Sequence, residues 1–95
     1  MILGTGIDLA EVPRVRAAIE RYGRRFIERI YTPAEIAYVE RKANRYERYA
    51  ARFAAKEAGM KAIGTGWRHG VRTISLSLTH TAEQGMAFVI LEGEG

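Results

Sequence analysis

The stretch RFAAKEAGMKAIGTG, residues 52–66, decides how the rest of the chain is read. Its alanines, phenylalanine, methionine and isoleucine make a packing surface for a buried helix, yet it also carries Lys56, Glu57 and Lys61. Residues four apart share a helix face, so Phe53, Glu57 and Lys61 fall in one column. A carboxylate in line with an aromatic ring is either ion-paired, with Lys61 or an arginine, or engaged with something that is not protein. Read upstream, the pattern predicts one long helix from about Asn44 to Ile63, packed through Tyr46, Tyr49, Phe53 and Met60 and ended by Gly64-Thr65-Gly66.

On the N-terminal side, MILGTGIDL is a short apolar run that reads as a strand ending near Asp8. EVPRVRAAIERYG follows as a helix with Pro13 in its first turn, Gly23 as its stop, and Val12, Val15, Ile19 and Tyr22 on one stripe. RRFIERIY is a second short helical piece. TPAEIAYVERKA opens with Thr32, Pro33 and Glu35, a capping box with proline at the first helical position. On the C-terminal side the period changes. TISLSLTH alternates Ile74, Leu76 and Leu78 against Ser75, Ser77 and Thr79, which predicts a half-buried strand. TAEQG is a turn and MAFVIL a second strand, pairing back as a hairpin. Strand, helices, hairpin is the order of an α+β domain: a small antiparallel sheet packed against one long helix and several shorter ones.

A chain of 95 residues is a single domain. Such a length buries roughly 60–65% of its unfolded surface, so association between subunits would help its stability. No apolar run approaches a membrane span, and no basic-then-apolar leader opens the sequence. The absence of cysteine rules out disulfides and thiolate metal sites and fits a cytoplasmic protein. The net charge of +4 suits an anionic partner: nucleic acid, a phosphorylated small molecule, or an acidic protein.

Asp8 at the strand end reads either as a cap for the next helix or as half of a metal site with Glu57. Mg²⁺ takes few protein carboxylates and completes its shell with water and phosphate oxygens. Lys56 and Lys61 are either solvated helix lysines or point charges for phosphate. Gly64, Thr65 and Gly66 either stop a helix or offer N–H groups to an anion. His80, ending the serine-rich strand, is an ordinary hydrogen-bonded residue or a ligand contact, and His69 has no supporting context. The run Arg14, Arg16, Arg21, Arg24, Arg25 and Arg29 is a solvated face or a docking surface. Against nucleic acid, the strands carry no interleaved aromatic platform and no zinc-finger or RNA-recognition signature.

Three segments, GTGIDLAEVPRV (4–15), RFAAKEAGMKAIGTG (52–66) and SLSLTHT (75–81), closely resemble the holo-acyl-carrier-protein synthases, the short class of 4'-phosphopantetheinyl transferases. The resemblance covers almost the whole chain in the right order. It implies the 4'-phosphopantetheinyl transferase fold and an enzyme that moves the phosphopantetheine arm of coenzyme A onto a serine of apo acyl carrier protein, releasing adenosine 3',5'-bisphosphate, in support of fatty acid biosynthesis. It implies that Asp8 and Glu57 bind Mg²⁺, that Lys56, Lys61, His80 and Gly64 lie by the phosphates, and that Arg52 lies near the nucleotide. Lys61 and Asp8 join Glu57 in the catalytic group, with Glu57 the candidate base. Arg14, Arg21 and Arg24 of the first helix are implied to dock the acidic carrier protein. A homotrimer with coenzyme A in clefts between subunits is implied as well, with no role for nucleic acid or membrane. The rivals are a basic nucleic-acid-binding domain and a non-catalytic carrier-protein docking module.

One departure stands out. Between GTGWRHGVR and TISLSLTH the family carries a further strand, turn and helix, and none of it is here. A segment is therefore expected to be missing between about residues 66 and 73, leaving 1–95 as a single domain with a gap in its family pattern.

Overall fold

The computed structural model describes residues 1–65 and 70–94. In chain order it has β1 (Ile2–Glu11), α1 (Val12–Tyr22), α2 (Arg24–Ile30), α3 (Pro33–Glu40), α4 (Arg45–Thr65), β2 (Val71–His80) and β3 (Gln84–Gly93). The strands form one antiparallel sheet in the order β1-β3-β2, so the last strand of the chain is the central one. The α+β reading and the β2–β3 hairpin hold. Thr81 makes the hairpin turn, its hydroxyl accepting from the backbone N–H groups of Glu83 and Gln84.

Alanine and glycine decide how α4 meets the sheet. Ala50, Ala54, Ala58 and Ala62, four apart, are all fully buried and give α4 a flat face. Opposite them lie Gly6 of β1 and Gly85 of β3, where a Cβ would run into the backbone of Ala58 and of Ala51. Small residues on both sides let the helix axis approach the strands closely. Val89, Leu91 and Ala87 complete that interface from β3.

The short helices cover the other side of α4. Val12, Val15 and Ile19 of α1, Ile27 of α2, and Ile36 and Val39 of α3 gather around Tyr31 and the fully buried Tyr49. The two tyrosine rings lie 4.7 Å apart, tilted by 43°. Each hydroxyl has a partner, as buried hydroxyls must. Tyr31 donates to the Tyr49 carbonyl and Tyr49 donates to Glu40, each at 2.7 Å. Burial pushes the Tyr31 hydroxyl pKa up, with Tyr49 and Glu35 adding to it. The capping box of α3 forms in full: Thr32 Oγ1 accepts from the Glu35 N–H, and Glu35 Oε1 accepts from the Thr32 N–H.

Four expectations need correction. β1 runs on to Glu11, past Asp8, because β3 supplies a ladder partner as far as Gln84. Gly64 and Thr65 continue α4 instead of ending it. Tyr22 and Met60 are 57% and 68% exposed, so neither packs the core. Ile74, Leu76 and Leu78 share the α4 side of the sheet with Leu91, Val89 and Ala87, as direct partners in an antiparallel pair must. They are nevertheless 41–67% exposed, because α4 covers β1 and β3 and barely reaches the edge strand.

Candidate active site

The close packing at Gly6 places Asp8, two residues on and on the same face of β1, directly against α4. There its Oδ1 accepts a 2.6 Å hydrogen bond from Lys61 Nζ, which also donates to the Ile7 carbonyl at 3.2 Å. Of the alternatives for Glu57, an ion pair with Lys61 is not the one formed, because Lys61 pairs with Asp8 instead. Glu57 stands one turn before Lys61, half-buried, and among the described residues it has no ion-pair partner. Ile7, Leu9 and Met86 line the shallow cleft into which Asp8 and Lys61 open.

Lys56 belongs elsewhere. Five residues separate it from Lys61, about 140° around a helix, so the two lysines cannot share a face. Lys56 turns toward α3 and pairs with Glu35 at 2.9 Å, while Arg52, one turn earlier, reaches the other Glu35 oxygen at 3.5 Å. Arg48, Arg52 and Lys56 make a basic column with a stride of four. Tyr38 lies beneath it, its ring 5.0 Å from the Arg52 guanidinium and 5.8 Å from that of Arg48. Lys42 sits 4.9 Å from the same ring.

His80 completes this second cluster. The end of β2 brings it beside α4, so that Tyr38, Arg48, Ala51, Arg52, Leu78 and His80 line one cleft. His80 Nδ1 is buried and lies 3.8 Å from Glu47 Oε1, close enough for charge but not for a hydrogen bond. Three cations and a histidine around one aromatic ring make a site for a polyanion that carries a flat group.

The residues named from the sequence therefore fall into two groups. Asp8 and Lys61 meet at the β1–α4 corner, with Glu57 one turn before Lys61 on α4, whereas Arg52 and His80 line the α3–α4–β2 cleft and Lys56, one turn beyond Arg52, is held by Glu35. Gly64 lies in the last turn of α4 with open space where a side chain would be, so backbone can be approached there. Gly66 and His69 lie outside the described residues. Arg14, Arg21 and Arg24 are exposed, Arg14 beside an apolar pocket lined by Leu9, Val15, Ala18, Phe26 and Phe53. Sequence reasoning missed Tyr38, Arg48, Glu47 and the second task of Glu35. Only the stride of four from Arg48 to Lys56 was a usable signal for them.

With this geometry in hand, comparison with known proteins is decisive. The family model of the 4'-phosphopantetheinyl transferase superfamily matches residues 4–94. The chain belongs to that superfamily. The holo-[acyl-carrier-protein] synthase of Solibacter usitatus is 59% identical over 124 residues, an alignment covering 97% of this chain and 99% of the relative. The Koribacter versatilis protein of the same name is 48% identical with the same coverage. Among solved structures, the holo-[acyl-carrier-protein] synthase of Neisseria meningitidis superposes with a TM-score of 0.85 at 27% identity, covering 97% of this chain and 99% of that one. The Bacillus anthracis enzyme, crystallised with CoA (3',5'-ADP), gives 0.81 at 32% identity and 99% coverage of both chains. An alignment of 124 positions against a chain of 95 residues leaves at least 29 positions without a counterpart.

Proposed function

We propose that this superfamily member transfers the 4'-phosphopantetheine arm of coenzyme A to a serine of apo acyl carrier protein. The serine Oγ–P bond forms, the pyrophosphate P–O bond breaks, and adenosine 3',5'-bisphosphate leaves. The observation that carries the reading is the Asp8–Lys61 contact at 2.6 Å, because it joins the first and second family motifs into one charged corner.

That corner fits Mg²⁺. Asp8 keeps its Oδ2 for a metal while Lys61 holds Oδ1, and Glu57 offers a carboxylate that no cation in the described residues neutralises. Hard oxygen donors, few in number and open to solvent, are what Mg²⁺ takes. Once bound it would neutralise the pyrophosphate and polarise the phosphorus under attack. The remaining work belongs to side chains. Lys61 stands by the phosphates at the corner, with Gly64 just beyond it leaving the backbone open to them, while Arg52 and His80 in the cleft and Lys56 one turn along α4 take the remaining phosphates and the nucleotide end. Phosphoryl transfer asks mainly for positioning and charge neutralisation, and this distribution supplies both. Glu57 takes the proton released by the serine.

The docking face is α1 with Arg14 and Arg21, continued by Arg24 at the start of α2, so the expected single basic helix is in fact two helices broken at Gly23. Arg24 pairs with Glu28 of its own helix at 3.1 Å, so an acidic partner must displace a weak exposed pair, at little cost. The pocket beside Arg14 offers an apolar socket next to the charge. The outer sheet face, with Ile7 and Leu9 of β1 opposite Phe88 and Met86 of β3, is bare, and it supports a homotrimer in which neighbouring copies complete each other's sites. Among the described residues no helix is long and apolar enough to cross a membrane, and we place the enzyme in the cytoplasm, serving fatty acid biosynthesis.

The test is transfer of labelled pantetheine from coenzyme A to apo carrier protein with and without Mg²⁺. Transfer that requires the metal supports the reading. Carrier-protein binding without transfer points to a docking module, and nucleic-acid binding without either points to the remaining rival.

A further inference from the structure

Glu35 does two things at once. Its Oε1 closes the capping box of α3 by accepting from the Thr32 N–H at 2.9 Å, and the same oxygen receives Lys56 Nζ at 2.9 Å. Its Oε2 receives Arg52 Nη1 at 3.5 Å. Burial pushes the Glu35 carboxyl up, but the Thr32 N–H, Lys56 and Arg52 outweigh it, so the net shift is downward and the group is ionised at neutral pH. A cap alone needs none of this, since a glutamine accepts the Thr32 N–H equally well.

We infer that Glu35 is a positioning residue for coenzyme A binding: one carboxylate, fixed to the start of α3, that holds Lys56 and Arg52 of α4 in place for the phosphates of the co-substrate. Arg52 and Lys56 are four apart on α4, and like charges at that spacing repel. Without a shared counter-charge their heads splay, and a free lysine or arginine must give up its rotamer freedom when the ligand arrives. Glu35 takes that loss in advance. It is itself held by a backbone bond, so the arrangement is rigid on the side away from the ligand. The opposing effect is plain Coulomb attraction, since removing a carboxylate makes the cleft more positive. At a partly solvated site that attraction is screened, whereas the ordering loss is not. This inference rests on the proposed role of Lys56 and Arg52, and its test separates the two.

In Glu35→Gln the capping acceptor survives and the charge is lost. The dissociation constant for coenzyme A, measured by calorimetry on the full-length protein, should rise about tenfold, as for loss of a charged hydrogen bond. The KM for carrier protein should stay within about twofold. Thr32→Ala, which removes the cap hydroxyl and keeps the charge, should lower Tm and leave coenzyme A binding alone. Glu35→Asp, which keeps the charge one methylene back, should weaken binding less than Glu35→Gln does. In the Lys56→Ala background, Glu35→Gln should add less than it does in the wild type, because its effect runs through Lys56. Unchanged or tighter coenzyme A binding in Glu35→Gln, with Lys56→Ala impaired, would overturn the role of Glu35 alone. Unchanged binding in Lys56→Ala would overturn the assignment of the basic column, and the inference with it.

Discussion

Three carboxylates of the candidate site differ in their neighbours. Asp8 is held by Lys61, Glu57 has no described counter-charge, and Glu35 is shared between two cations. Under the proposed metal site, Asp8→Asn and Glu57→Gln should each lower kcat by about two orders of magnitude or more while leaving Tm nearly unchanged, because the proposed loss is of metal ligands rather than core packing. Loss of Mg²⁺ dependence without loss of rate in either variant would sink the shared-metal assignment. Glu35 also sets a pH dependence. Its pKa is lowered in the fold, so the stability it contributes is fully present above its unfolded value. That contribution is lost as acid protonates the carboxyl through its lowered folded value. Thermal melts should show a steeper fall in Tm on acidification in the wild type than in Glu35→Gln. The pairing of Asp8 with Lys61 was not readable in advance, since 53 residues separate them and only the sheet–helix contact brings them together.

At the scale of elements, α4 carries both the fold and the chemistry, on different sides. Its alanine column faces Gly6 and Gly85, so Gly6→Ala forces a methyl into the Ala58 carbonyl and should cost about 1–3 kcal/mol, read as a drop in Tm. Asp8 would shift with the strand, and activity should fall further than the lost stability explains. Helices α1 and α2 make a separate prediction. Arg14→Glu or Arg24→Glu should raise the KM for carrier protein several-fold at low salt, spare coenzyme A binding, and lose the effect at high salt as screening sets in. Equal damage to coenzyme A affinity would remove these arginines from the docking face. The elements themselves were legible because their signals are local. The capping box of α3, Pro13 and Gly23 around α1, and the alternation of β2 all act within a few residues. What was not legible was which apolar residues those elements bury, as Met60 and Tyr22 show.

For the molecule as a whole, the unprotected surfaces matter most. A three-stranded sheet exposes Ile7, Leu9, Met86 and Phe88 on one face, which under the proposed trimer is the assembly surface. Phe88→Glu should shift the molecular mass in light scattering to that of a monomer and abolish transfer. A wild-type protein that is already monomeric and fully active would remove the trimer. The opposite face of β2 has a different explanation. Ile74, Leu76 and Leu78 turn to the helix side and stay exposed among the described residues, and the aligned relatives have at least 29 positions that this chain lacks. We propose that those positions belong between about residues 66 and 73. Inserting the corresponding segment of the Solibacter usitatus protein there should raise Tm by several degrees and increase transfer, as burial of three large side chains warrants. No gain in either would show the short chain to be self-sufficient.

The sequence by itself determined the secondary structure, the family and the identities of the charged residues, because periodicity, caps and motifs are encoded within a helical turn or two. Only the tertiary structure decided who pairs with whom. Lys56 and Lys61 are near neighbours in the chain, yet 140° of helix rotation sends one to α3 and the other to β1. Glu35 announced a cap and turned out to hold two cations as well, because α3 lies across α4 at Arg52 and Lys56. Side-chain partners are set by how elements pack, and packing here hangs on glycines and alanines whose importance appears only once the helix is laid against the sheet.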